Sequence, residues 1–143
     1  LPYRLFVLNL QSDPQARDQQ FVFINPVITT RKGHTEGEEG CLSIPGVYAD
    51  VTRSERVSLN AYDLAGREIN LDLEGLFARA VQHEIDHLDG ILFVDRLPPT
   101  REMAIRAALG DFEEQFLSGR ERGEIPDDAT IARQLAELEK LRT

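Results

Sequence analysis

The stretch Glu74-Gly75-Leu76-Phe77-Ala78-Arg79-Ala80-Val81-Gln82-His83-Glu84-Ile85-Asp86-His87-Leu88-Asp89-Gly90 decides how the rest of the chain is read. Two histidines four residues apart lie on one face of a helix, about one turn from each other, so both imidazoles reach a single ion. Glu84, next to the first histidine, projects beside that ion rather than onto it. A carboxylate there is placed to take a proton from water, and its expected role is general base. The five-residue pattern alone also occurs on solvated helices. Here Leu76, Phe77, Ala80, Val81, His83, Glu84 and His87 recur at roughly helical spacing, so the histidines are expected to continue an apolar, buried stripe. The pattern predicts a helix over 74–89, with Gly90 past its end because glycine accepts the left-handed conformation. Gln82 and Asp86 are candidates to orient the ligands or a neighbouring loop through hydrogen bonds, since metal-bound imidazoles commonly donate their other N–H. Asp86 reads equally well as a solvated helix carboxylate.

Two imidazoles need a third ligand. A zinc protease would take a His or Glu downstream of the helix, yet no histidine follows His87, and the later glutamates fall in segments that read as solvated helices. The third ligand is therefore expected upstream. Cys41, within Glu39-Gly40-Cys41-Leu42-Ser43, is the only cysteine and has no internal disulfide partner. A lone cysteine is often just a small buried hydrophobe. The flanks favour a ligand: Gly40 frees the backbone and Pro45-Gly46 reads as a turn, so the thiol is expected in a tightly shaped loop or bulge. One thiolate and two imidazoles leave a fourth position for water, the mark of a catalytic site.

With both motifs in view, the chain resembles the peptide deformylases. Glu39-Gly40-Cys41-Leu42-Ser43 is similar to that family's second motif, and Gln82-His83-Glu84-Ile85-Asp86-His87-Leu88-Asp89-Gly90 to its third, over a similarity running from about Leu5 to Leu97. The resemblance implies removal of the formyl group from the N-terminal methionine of newly made polypeptides. Spacing alone implies metal-assisted hydrolysis, in which the metal lowers the pKa of water from about 15.7 toward 7. The resemblance further implies that the backbone N–H of Leu42 holds the developing oxyanion and that Glu39 pairs with Arg53 to brace the cysteine loop. It implies iron(II) in the cell, although a thiolate with two imidazoles also suits zinc, nickel or cobalt. Leu76 and Ala80, within two turns of His83, are expected to line the pocket for the methionine side chain. The family's first motif, a Gly-rich stretch ending in glutamine, normally precedes the strand that here reads Leu5 to Leu10. It is not among these residues. Leu1-Pro2, without a methionine, leads to the expectation of a preceding segment, and of metal binding with much reduced turnover for these residues alone. The alternative reading is a catalytically impaired metal-binding or interaction domain.

Composition agrees with one compact soluble domain: 41% of the 143 residues are hydrophobic and 29% charged. No stretch approaches the roughly twenty apolar residues of a membrane span. A net charge of -9 argues against sequence-specific nucleic-acid binding. Transient ribosome association stays open, but from Arg101 onward seven basic side chains face ten acidic ones, which disfavours RNA docking there. A bacterial cytoplasmic setting is expected, with an organelle as the alternative.

The fold expected is α+β, mostly antiparallel sheets around a central metal-binding helix with a C-terminal helical extension. The division is a deformylase-like domain over 1–119 lacking its N-terminal segment, then a charged linker and helix over 120–143. Leu5 to Leu10 reads as a strand buried on both faces, 11–20 as a polar loop with Asp13-Pro14 as a turn, and 21–25 and 27–31 as strands around Pro26, with a bulge or sheet edge. Residues 32–38 read as a loop in which His34 is exposed and holds no metal. Residues 56–63 and 67–73 form a hairpin around Leu64-Ala65-Gly66. Thr100 is the expected N-cap of a helix packing Met103, Ala107, Leu109, Phe112 and Phe116 on the sheet. Asp128 is the expected N-cap of a last helix with Ile131, Leu135 and Leu138 on one face, folded back or used in dimerisation; monomer and dimer both remain open.

Overall fold

The computed structural model describes residues 3–10 and 20–141; the turn expected at Asp13-Pro14 lies outside the described residues. Among the described residues, two antiparallel sheets and three α-helices make up the fold, as the α+β reading expects. Strands β1 (Leu5–Asn9), β2 (Gln20–Lys32), β5 (Arg56–Tyr62) and β6 (Glu68–Glu74) form a four-stranded sheet in the order β1-β2-β5-β6. Strands β3 (Thr35–Cys41) and β4 (Ile44–Arg53) form a separate hairpin. Helix α1 (Gly75–Leu88) follows β6 directly, and a 3-10 turn (Phe93–Arg96) leads into α2 (Pro99–Glu121) and α3 (Asp128–Lys140).

Two cores result. Alternate side chains of the large sheet, Phe6, Phe23, Val57, Leu59, Ala61 and Leu73, pack under Ala78, Val81 and Ile85 of α1. Phe6 and Phe23 lie 5.1 Å apart between ring centroids, and Phe21 reaches Phe77 at 4.9 Å. Burying each such large side chain contributes about 1.5–3 kcal/mol. The second core joins Ile44, Val47 and Val51 of β4 to Phe93 and to Ile105 of α2. Helix α1 thus has the large sheet on one side and the β3–β4 hairpin on the other.

Several local expectations are corrected. The core covers only one face of β1, so Phe6 is buried while its neighbour Val7, on the opposite face, is 68% exposed, rather than both faces being covered. The two strands expected around Pro26 are one, β2, with a register shift between Ile24 and Val27. Asn25 supplies the kink at φ 50°, a conformation asparagine tolerates better than most residues. Residues 35–38 are strand, not loop, because Thr35 to Gly40 pair continuously with β4. Pro45-Gly46 does not end the segment either. The turn is at Leu42–Ser43, and Pro45, Gly46 and Val47 form a bulge between the pairs Cys41↔Ile44 and Gly40↔Tyr48.

In α2 the N-cap is Pro98 with proline also at N1, so Thr100 already lies inside the helix. Met103 (70% exposed) and Ala107 face away from the core; Ile105, Leu109 and Phe112 carry the packing. The helix runs to Glu121, slightly beyond the expected start of the linker. Asp127, not Asp128, caps α3 by accepting a hydrogen bond from the Thr130 N–H. No residue of α3 is buried. No helix among the described residues is long and apolar enough to cross a membrane.

Candidate metal centre

Helix α1 ends as its sequence dictates. Gly90, at φ 74°, donates to the carbonyl of His87, and Ile91 N–H donates to that of Asp86, the paired bonds of a Schellman ending. The last turn is thereby held regular, and it carries His87. The buried side of the helix is Ala78, Val81, Gln82, Ile85 and Asp86. His83, Glu84 and His87 are only partly buried, and Leu76 is 68% exposed. The histidine stripe therefore borders a cleft instead of entering the core, because the sheet claims the neighbouring face.

Across that cleft stands Cys41, the last residue of β3. The bulge in β4 ends the regular register there, and bulges commonly re-aim side chains beside functional sites. Gly40 has no left-handed backbone to serve. Its missing side chain makes room for Tyr48, whose ring would lie 2.6 Å from a Cβ at that position. Cys41 Sγ comes 3.2 Å from His87 Nε2, and His87 Nε2 is 3.1 Å from His83 Nε2. One donor atom from each of the three residues falls within a 4.8 Å set.

Metal–ligand lengths of about 2.0–2.1 Å for nitrogen and 2.3 Å for sulfur at tetrahedral angles separate the donors by about 3.3–3.6 Å. The distances found are within a few tenths of this, so the donor set fits a divalent metal. Three donor atoms this close to one another suit a shared cation. The histidine tautomer is consistent with this, since His83 Nδ1 lies 3.0 Å from Glu39 Oε2. An ionised carboxylate only accepts, so Nδ1 carries the hydrogen, and in the neutral ring Nε2 keeps a lone pair facing the cleft.

Glu39 is itself held. Arg53 donates Nε and Nη2 to its two oxygens, both at 2.9 Å, and Arg79 donates Nη1 at 2.6 Å. Arg53 also pairs with Asp86, which Arg96 grips at 2.6 and 3.1 Å. Burial works to raise the Glu39 carboxyl, but hydrogen bonds with His83, Arg53 and Arg79 and the charge of Arg53 bring it down to about 2. Burial likewise opposes ionisation of Asp86, and Arg96 and Arg53 overcome it. The Glu39 hydrogen bond raises His83 above its ordinary range. At Cys41 burial works upward, while hydrogen bonds from Ser43 and His83 prevail and lower the thiol. One of these is Ser43 N–H to Sγ at 3.4 Å. That lowering favours the thiolate, the form that binds metal and reacts.

Of the expected site residues, Cys41, His83, His87, Glu84, Leu42, Leu76, Ala80 and Glu39 line one cleft of about 460 Å³. Leu42 is fully exposed at the hairpin tip. The pairing of Glu39 with Arg53 is present. Asp86 is buried and ion-paired, not solvated, and its charge goes to Arg53 and Arg96 and not to the imidazoles. Gln82 also avoids the ligands: it bonds Arg31, the Ser54 backbone and the Ala78 carbonyl, tying α1 to β2 and to the residue after β4. His34 is exposed as expected. Arg79 and Arg96 are absent from the sequence reading. The signal for Arg79 is its position four residues before His83 on the same helix face; Arg96 carries no such signal.

Comparison with known proteins places this geometry in context. A family model described as polypeptide deformylase matches residues 1–103. A peptide deformylase of Rhodopirellula baltica is 43% identical over 143 residues, covering 100% of this chain and 71% of the relative. One from Chromobacterium violaceum is 45% identical over 112 residues, covering 78% of this chain and 65% of the relative. The chain spans 62% of the matching relative from Neisseria meningitidis serogroup C. Among solved structures, a peptide deformylase from Thermus thermophilus shares 49% identity at a TM-score of 0.68, covering 79% of this chain and 68% of that one. Another from Plasmodium falciparum shares 32% at a TM-score of 0.77, covering 80% and 67%.

Proposed function

Because the chain belongs to the polypeptide deformylase family, we propose that it takes part in removing the formyl group from the N-terminal formylmethionine of nascent polypeptides. The observation that carries the reading is the convergence of Cys41 Sγ, His83 Nε2 and His87 Nε2 on one point, with Glu84 in the same cleft. Cys41, His83 and His87 would hold one divalent metal, iron(II) in the cell, with zinc, nickel or cobalt accommodated by the same donors. When bound, the metal supplies Lewis acidity, making hydroxide available near neutral pH and polarising the formyl carbonyl.

The chain's own groups do the rest. Glu84 accepts a proton from the attacking water and returns it to the departing amine, releasing formate and a free N-terminus. The Leu42 N–H, at the hairpin tip, donates to the oxyanion as charge develops; one such donor is worth about a hundredfold or more in rate. Leu76 and Ala80 provide apolar wall for the methionine side chain, a contact selective by only about 1–3 kcal/mol. Glu39 fixes the His83 tautomer, and Arg53 fixes Glu39. The bacterial relatives favour a bacterial cytoplasmic setting over an organellar one. The net charge of -9 argues against sequence-specific nucleic-acid binding.

The test is release of formate from formyl-Met-Ala-Ser by the chain loaded anaerobically with iron(II) or with nickel. Turnover that a chelator abolishes and metal restores is the expected result. Stoichiometric metal binding without turnover would favour the metal-binding scaffold, and cleavage of casein would point to protease chemistry.

A further inference from the structure

We infer that Arg79 is a positioning residue for the metal centre, completing the donor set that locks Glu39 and, through Glu39, the ring orientation and tautomer of His83. The inference rests on the metal reading of Cys41, His83 and His87, but not on the identity of the substrate. An ionised carboxylate has about four lone-pair directions. Glu39 Oε2 receives His83 Nδ1–H at 3.0 Å and Arg53 Nη2 at 2.9 Å; Oε1 receives Arg53 Nε at 2.9 Å and Arg79 Nη1 at 2.6 Å. All four directions are used. Arg53 alone would leave Oε1 with a free direction, around which the carboxylate could pivot away from His83.

Arg79 is also anchored independently of Glu39. Its guanidinium donates to the backbone carbonyls of Thr35 and Val51, both at 3.0 Å, and more weakly to that of Gly37 at 3.4 Å. These span both strands of the hairpin that carries Cys41. Because Arg79 precedes His83 by one helical turn, its side chain leaves α1 on the same face as the ligand. One residue therefore ties the helix bearing two metal ligands to the hairpin bearing the third. The site is built to receive it: a Cβ at Gly37 would stand 3.2 Å from the guanidinium carbon. The Arg79 side chain is only 12% exposed. It sits at contact distance from Glu39 and acts on the centre through that carboxylate. A planar fork that serves a carboxylate and three carbonyls at once has no equivalent in lysine.

The experiment compares the parent chain with Arg79→Met, Arg79→Lys and Gly37→Ala. Zinc affinity is read by competition with a chromophoric chelator, and the His83 Nδ1–H by ¹⁵N-histidine spectra of the zinc-loaded protein. Arg79→Met is expected to weaken zinc binding about 10- to 100-fold, the usual effect of losing an outer partner of a ligand. The His83 Nδ1 proton should then exchange faster with water. Arg79→Lys, reaching fewer acceptors, should fall between. Gly37→Ala, which displaces the guanidinium by a few tenths of an ångström, should shift both readouts less in the same direction; these two carry the test if Arg79→Met fails to fold. Unchanged affinity and an unchanged His83 signal in the folded variants, with only a lower melting temperature, would reduce Arg79 to a hairpin brace and overturn the inference. If the parent chain took up no zinc, the metal reading itself would fail, an outcome visible before any variant is made.

Discussion

Glu84 and Glu39 are both glutamates at the rim of one cleft, and their surroundings separate their roles. Glu84 is partly exposed and none of the hydrogen bonds described engages it, whereas Glu39 is only 7% exposed and saturated with donors. A proton acceptor must be free to take and release its proton; an orienting group must not move. Glu84→Ala is accordingly expected to keep stoichiometric metal while lowering turnover roughly 100- to 10,000-fold. Loss of metal from that variant would instead make Glu84 a ligand. Glu39→Ala should be damaging in another way, because it leaves Arg79 buried without its carboxylate partner and Arg53 with Asp86 alone. Breaking a buried pair from one side costs about 3–5 kcal/mol. Urea denaturation of the metal-free protein would measure it, and a loss well under 1 kcal/mol would show that water replaces the carboxylate.

Among the elements, α1 and α3 show how differently two helices of similar length are secured. Helix α1 is held by packing along Ala78, Val81 and Ile85 and by its glycine ending. Gly90→Ala places a Cβ in the left-handed region and should cost about 1–2 kcal/mol. A lower urea midpoint with an unchanged slope is the expected signature. Helix α3 buries nothing and depends on its local cap. The hydrogen bonds from Thr130 hold the Asp127 carboxyl below its ordinary value of 3.8. A carboxyl lowered in the folded state contributes its stabilisation above the unfolded pKa and loses it as pH falls through the folded one. The cap should thus be intact above pH 3.8 and fade below it. Carbon-13 shifts of residues 130–133 should lose helical character over that range, while those of α1 do not. In β3 and β4 the sequence signal failed for a physical reason. Glycine and glutamate are poor strand formers, so Thr35-Glu36-Gly37-Glu38 reads as loop, yet backbone pairing to β4 and the space Gly37 leaves for Arg79 make strand the better solution.

At the scale of the whole molecule, the centre lies where two cores meet. His83 packs beside Phe93 of the second core at 6.4 Å between ring centroids, while Val81 and Ile85 of the same helix belong to the first. Cys41 packs against the second core. The three candidate ligands converge only when both cores are formed, so a metal held by them would bind the native state and not the unfolded one. Thermal stability should rise with free metal, by about 2.7 kcal/mol at a hundred times the dissociation constant. Calorimetry with and without chelator would show it, and coincident transitions would mean the ligands do not come together in solution.

The chain itself determined the chemistry of the centre. A four-residue histidine spacing can be met by one helix without help from elsewhere, and Gly90 marks that helix's end because a left-handed ending depends on one residue's backbone. Tertiary structure alone decided what surrounds those ligands. Whether Asp86 is solvated or buried, which acid meets His83 Nδ1, and whether Arg79 faces water or Glu39 are settled by which surfaces come together over forty residues of intervening chain. Helical periodicity can place side chains on one face, but it does not specify the other surface that face will meet.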